Sequence, residues 1–500
     1  MPDSESPSET IGQSGIDPRA VTVSALTRAL AAGQLSSVDL VRHYLGQIAA
    51  RNGDLGAVIT TSADAVDQAE AADLARSAGA ATGPLAGIPV LLKDNISADG
   101  SPATAGSAAL TSAAAADAFL VARLRAAGAI ILGKANLSEW ANFRSTHSSS
   151  GWSTLGGQAV NPRGAGRNPS GSSSGSGVAV AAGLAPLAVG TETDGSIVSP
   201  SNSCGVVGVK PTLGLVSRSG IVPISADQDT AGPMAGCVAD AAVLLGAMAG
   251  ADPADPATEQ AAAQPADYTG FLDAGALDGA RIGIWRDGSA AATPATAAVL
   301  DAAVALLRAS GAVVIDPVHL ADANKIGEPE FLALRHEFKT DLNAYLAAVG
   351  GEHPMSLAEL IEFNSVNADR VLTHFGQEIF EQAEATGGRQ DRRCQEARTA
   401  ARGLARSALD GALAEHRLDA VVALTGSPAW LTDYVLGDHF VFATSSPAAV
   451  SGYPAITVPA GSVAGLPVGI SLMGPAWSEP RLLALAYAYE QALAGQVRSA

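Results

Sequence analysis

Two serines, Ser172 and Ser196, stand 24 residues apart (196 minus 172) in the stretch NPSGSSSGSGVAVAAGLAPLAVGTETDGSIVSP, residues 168–200. Gly171 to Gly177 reads as a loop of exposed backbone N–H groups and Val178 to Gly183 as a short apolar helix closed by Gly183. Leu187 to Thr191 reads as a buried strand, and Asp194-Gly195 as a turn that presents Ser196. Strand, sharp turn and exposed serine make a setting for a nucleophile in acyl transfer, which also requires a base and N–H donors aimed at the oxyanion. Glycine and serine runs are more often flexible linkers. Linkers, however, are not interleaved with apolar helix and strand, so this stretch is taken as the active site.

The nearest histidine is His147, and the residues around it, Ser148 to Gly151, look like loop. A Ser-His-Asp arrangement stays open, since its members meet in space rather than along the chain. The context Thr193-Asp194-Gly195-Ser196-Ile197 lacks GxSxG, which disfavours an α/β-hydrolase elbow. A neutral lysine acting through a second serine is the remaining scheme. The chain has five lysines against 25 arginines (30 minus 5), and Lys93 ends the apolar run Ile88-Pro89-Val90-Leu91-Leu92. Desolvation can lower the pKa of a lysine there, whereas an arginine stays charged. The run alone fits an ordinary strand-end lysine paired to Asp94 equally well. Lys134 and Lys210 also follow apolar strands beside turn signals and are given structural roles.

Around these residues the chain reads as a disordered segment, 1–18, followed by one domain, 19–500. Thr22 and Ser36-Ser37 are candidate N-caps for helices Val23 to Ala32 and Val38 to Arg51, and Ser62 for a third helix through Ser77. Strands are expected at Ala57 to Thr61, Ile88 to Lys93, Ala129 to Leu132, Leu187 to Thr191, Ala280 to Trp285, Ala420 to Leu424, Ala455 to Val458 and Val468 to Leu472. The stretch from about 293 to 416 is mostly helical and reads as a cover over one face. Strands at both ends with helices between suggest one mixed α/β sheet. A net charge of -19 and the lack of any Lys/Arg cluster exclude nucleic acid and anionic membrane as partners. The first 20 residues show no signal peptide, and a cytoplasmic protein is expected. The three cysteines read as buried reduced thiols, and no histidine spacing suggests zinc. No cofactor or metal is expected, and the oligomeric state is left open.

The order GIPVLLKDNI, Ser/Gly loop, GTETDGSIVSP, CGVVGVKPT resembles the amidase signature family over most of the chain. The resemblance implies an α/β/α fold with a central mixed sheet and a Ser-cisSer-Lys triad. Lys93 would be the base, Ser172 the bridging serine with a cis bond after Gly171, and Ser196 the nucleophile. The backbone amides of Thr193, Asp194 and Gly195 would form the oxyanion hole. Two departures stand out: Asp194 replaces a hole glycine and Val198 an arginine. The Asp194 carboxylate must therefore point away from the oxyanion. Segments such as SVNADRVLTHFGQEIFEQAEATGG, GSPAWLTD and SSPAAVSGYPAITVP are similar to the bacterial peptide amidase branch, which implies hydrolysis of a peptide's C-terminal amide to the acid and ammonia. The same resemblance leads to an apolar groove on the acyl side, formed partly by the helical region. The alternatives are an amidase of small aliphatic or aryl amides and a noncatalytic or amidotransferase-type subunit. Val198 and the acidic charge count against the latter.

Overall fold

The computed structural model describes residues 22–80, 83–114 and 116–499. The disorder expected for residues 1–18 lies outside them. Eleven strands pair into one sheet: β1 (Val58–Thr61), β2 (Pro89–Lys93), β3 (Ile130–Ala135), β4 (Leu187–Glu192), β5 (Val207–Lys210), β6 (Thr230–Ala235), β7 (Arg281–Trp285), β8 (Val313–Val318), β9 (Ala420–Leu424), β10 (Ala455–Val463) and β11 (Leu466–Met473). Their spatial order is β1-β3-β2-β4-β6-β5-β10-β11-β9-β7-β8. The pairs β3/β2, β2/β4, β9/β7 and β7/β8 are parallel and the others antiparallel, so the sheet is mixed, as expected. Every residue of β2, β3 and β4 is buried. Helices cover both faces there, which is why these strands read as unbroken apolar runs rather than alternating ones.

Two strands escape the sequence reading for physical reasons. β6 carries Gly232-Pro233, which reads as a turn, yet it pairs with β4 through Gly190↔Gly232 and Val189↔Pro233. A Cβ at Gly232 would lie 2.0 Å from the Val209 carbonyl oxygen, so the close approach of β5 selects glycine. β8 is an edge strand holding Asp316-Pro317, where a missing N–H costs no ladder bond. One expected cap also differs. Ser62 donates to Asp64 Oδ1 (2.5 Å) instead of capping the helix Ala65–Ser77.

The helix α1 (Ser174–Ala181) begins four residues before its expected start. Its first turn is made of Ser174 to Gly177, a sequence of low helix propensity that tertiary packing overrides. A Cβ on Gly175 would lie 2.3 Å from Ala57 O and 2.5 Å from both the N and O of Asn136. The bare backbone of α1 is thus pressed onto the end of β3, which fixes the loop before it. Gly175→Ala is expected to lower stability by about 3 kcal/mol or more, because three backbone atoms would have to shift; a melting temperature equal to that of the wild type contradicts this.

Residues 293–416 are largely helical and include α3 (Gly327–Ala348) and α4 (Arg392–His416), separated from α1 in sequence by the short α2 (Val198–Cys204). α3 packs Leu334 and Phe338 against Trp140, Phe143 and Ile224 in an apolar cluster of its own. No helix among the described residues is long and apolar enough to cross a membrane.

Candidate active site

Parallel pairing of β2 with β4 sets Leu92 opposite Val189, and so brings the ends of both strands to one place. Lys93 is fully buried there. Its Nζ lies 2.7 Å from Ser172 Oγ, 2.9 Å from Thr191 Oγ1 and 3.1 Å from Thr191 O. The Gly171–Ser172 peptide bond is cis. Burial pushes the Lys93 amine down to about 7, against the opposing pull of the Asp229 and Glu192 carboxyls. A neutral amine has two N–H groups for the Thr191 oxygens and a lone pair left for the Ser172 hydroxyl. Asn95 Nδ2 donates to Thr191 Oγ1 (3.0 Å) and so anchors the same threonine.

The alternative pairing of Asp94 with Lys93 is taken over by Lys134. Its Nζ is 3.3 Å from Asp94 Oδ1 and donates to Ile96 O at 2.6 Å and Pro102 O at 3.0 Å. Lys210 donates to Pro211 O at 2.9 Å. Cys204 is a buried free thiol pushed up to about 12 by desolvation.

Beyond β4 the chain turns through Thr193-Asp194-Gly195-Ser196 into α2. Gly195 has φ +80°, a conformation that suits glycine, and a Cβ there would approach Ser445 Oγ to 3.0 Å. Glu192 Oε2 accepts from Ile197 N (2.7 Å) and Val198 N (3.0 Å), satisfying donors that the start of α2 leaves unpaired. Ser173 ties the two serine turns together, because its N–H donates to Ser196 O (3.1 Å) and its hydroxyl to Thr191 O (3.0 Å). Thr193 Oγ1 donates to Asp229 Oδ1 at 2.6 Å. Asp194 Oδ2 accepts from Ser446 Oγ at 2.6 Å, so this carboxylate, at the position where the resemblance implies a glycine, is drawn toward the start of the helix Ser446–Ser451. Val198 is buried.

A cavity of about 350 Å³ opens over this turn, with Gly171, Thr193, Asp194, Gly195 and Ser196 in its lining and Ser172 buried behind. Asn142, Ile224, Trp430 and Phe440 line it further, and Leu334 of α3 reaches it from the helical region. Asp438 holds the rim, accepting from Ser150 N (3.0 Å), Ser150 Oγ (2.5 Å) and Trp430 Nε1 (3.2 Å). Thr191, Glu192, Ser173, Asn95 and Asp229 join the site without having stood out in the sequence. The first three lie inside the Asn168 to Pro200 stretch, where position between the two serines is the available signal. Asn95 lies within the GIPVLLKDNI run, two residues after Lys93, and Asp229 carries no such signal.

The mixed sheet thus places a buried lysine and two serine-bearing turns together at the floor of one cavity. The chain matches the Amidase family over residues 39–483 and belongs to it. Its fold superposes on the X-ray structure of native peptide amidase from Stenotrophomonas maltophilia with a TM-score of 0.90 and 49% identity, over 94% of this chain and 96% of that one. It is 43% identical over 471 residues to a probable amidase of Arabidopsis thaliana, covering 92% of this chain and 87% of the relative. A glutamyl-tRNA(Gln) amidotransferase subunit from Symbiobacterium thermophilum is 35% identical over 491 residues, 94% of this chain and 96% of that protein.

Proposed function

We propose that the protein hydrolyses the C-terminal amide of peptides, releasing ammonia and the free acid. The observation that carries the reading is the 2.7 Å contact of a fully buried, weakly basic Lys93 with Ser172 at the foot of the Ser196 turn. Ser196 Oγ attacks the amide carbon while its proton passes to Ser172 Oγ, whose own proton moves to Lys93 Nζ. The backbone N–H groups of Thr193, Asp194 and Gly195 take up the developing oxyanion. As the intermediate collapses, the amide NH2 takes the proton held on Lys93 back along the same path and leaves as ammonia; water, giving up a proton to the same relay, then attacks the acyl ester, and Ser196 Oγ is reprotonated as the acid is released.

Peptide selectivity is supported by the likeness to peptide amidase and by the cavity's outer side. The loop after Trp430 exposes Leu431 (59%), Val435 (86%), Leu436 (66%) and Phe440 (60%). Phe440 belongs both to this apolar rim and to the cavity lining. Of the apolar groove expected from the helical region, Leu334 is the one cavity-lining contribution among the described residues; Phe143, Ile224, Trp430, Phe440 and Phe442 supply other apolar lining. An amidated pentapeptide is expected to gain about one mass unit at its C-terminus, NH2 being replaced by OH, with ammonia released in equal amount. Internal fragments, or turnover of simple aryl amides with none of peptide amides, would move the assignment to an amidase of small substrates. Ammonia release by the chain on its own separates hydrolysis from an amidotransferase role.

A further inference from the structure

The helical region does more than wall the cavity. Gln228 is 1% exposed and sits between the serine turn and that region. Its Nε2 donates to Thr193 O (2.9 Å) and to Glu330 Oε1 (2.6 Å), and its Oε1 accepts from Arg398 Nη1 (2.6 Å). Because Arg398 can only donate and the Thr193 carbonyl can only accept, the amide has one orientation that satisfies all its neighbours. Glu330 belongs to the first turn of α3. Arg398, on α4, is itself gripped by Glu337 of α3 through Nε–Oε1 (2.8 Å) and Nη2–Oε2 (2.5 Å). Glu337 also accepts from Ser225 Oγ at 2.6 Å. All four polar side chains of this relay are buried.

The peptide unit between Thr193 and Asp194 is planar and trans, so its C=O and N–H point in opposite directions. Whatever holds Thr193 O therefore also aims Asp194 N–H. We propose that Gln228 is a positioning residue for the oxyanion hole, locking the Thr193–Asp194 peptide plane to helices α3 and α4 so that the Asp194 N–H faces the reacting carbonyl. The inference rests on the reading of the 193–195 amides as the oxyanion donors. It assigns the helical region a part in transition-state stabilisation without any contact to substrate. A bond that acts through a preorganised donor matters when charge develops, not when the neutral substrate binds.

Gln228→Met keeps volume and removes both donors. The expected result is a fall in kcat of about tenfold or more with KM within about twofold, because a donor is misaimed rather than deleted. A peptide aldehyde, whose adduct with Ser196 places an oxyanion in the hole, weakens by the same factor as kcat/KM, while the affinity for the product acid stays at the wild-type value. Arg398→Lys leaves Gln228 in place but loosens its anchor, and gives a smaller loss of the same kind, which covers the case in which Gln228→Met does not fold. The proposal is overturned if kcat of the folded variants stays within about threefold of wild type, or if aldehyde and acid weaken together as in a general loosening of the site. Ser196→Ala assayed on the same substrate separates the two layers. Residual turnover there removes the site reading itself, whereas a dead Ser196→Ala beside a normal Gln228→Met removes only this inference.

Discussion

Ser196→Ala is expected to lower turnover by on the order of 10⁴-fold or more and to leave the melting transition close to that of the wild type. The residue ends a turn whose shape does not depend on its hydroxyl. Glu192 holds Ile197 N and Val198 N, Ser173 holds Ser196 O, and Gly195 supplies the positive φ. Removing one oxygen from the cavity lining therefore costs chemistry rather than structure. Two competing nucleophiles are testable in the same experiment. Ser172 is buried behind the cavity with its hydroxyl on Lys93, and the Cys204 thiol is held far above its ordinary range. Mass spectrometry of a trapped acyl-enzyme should find the acyl group on the peptide carrying Ser196; an acyl group on Ser172 or a cysteine would end the assignment.

Lys93→Arg should be nearly as damaging as Lys93→Ala, each lowering kcat by about 10³-fold or more. Both variants lose the proton acceptor, and the arginine adds a permanent charge to a site with no solvent contact. Activity of the arginine variant within about tenfold of wild type, or ~1.4 kcal/mol in the barrier, rules out the role. The same chemistry predicts the acid limb of the pH profile. Burial lowers the folded-state pKa of Lys93 from 10.5 to about 7, so the active, neutral form dominates above that pH and is lost as pH falls through it. kcat/KM is expected to drop about tenfold per unit on the acid side. A profile flat from about pH 5 to about pH 8 would contradict a titrating lysine.

Lys93, Ser172 and Ser196 are legible because each sits at a local transition that sequence records: the end of an apolar run, a serine-glycine loop, a turn after a strand. Their meeting is not, since Lys93 and Ser172 are 79 residues apart and are joined by the parallel pairing of β2 and β4. β6 stays hidden because Gly232 and Pro233, which suit a close strand approach, carry the composition of a turn. Gln228 lies 102 residues from Glu330 and 170 from Arg398, so the three leave no local pattern at all. The resemblance to the amidase signature family supplies roles for the serines and the lysine, but nothing about the supports beneath the turn, which are side chains chosen by packing.

The Ser196 turn is closed by residues far along the chain. Asn202 of α2 donates to Ser427 O (3.1 Å) and accepts from Gly469 N (2.7 Å), while Ser446 holds Asp194, across separations of 225, 267 and 252 residues. Contacts of that span are costly to close before the rest of the sheet rewards them. β10 and β11 follow β1 to β4 by more than 250 residues, so until they pair the Ser196 turn lacks the support that Gly469 gives Asn202. Hydrolytic competence is expected to arrive with the last hairpin, and a lesion in β11 that displaced Gly469 would release Asn202, 267 residues upstream, while sparing the amino-terminal strands.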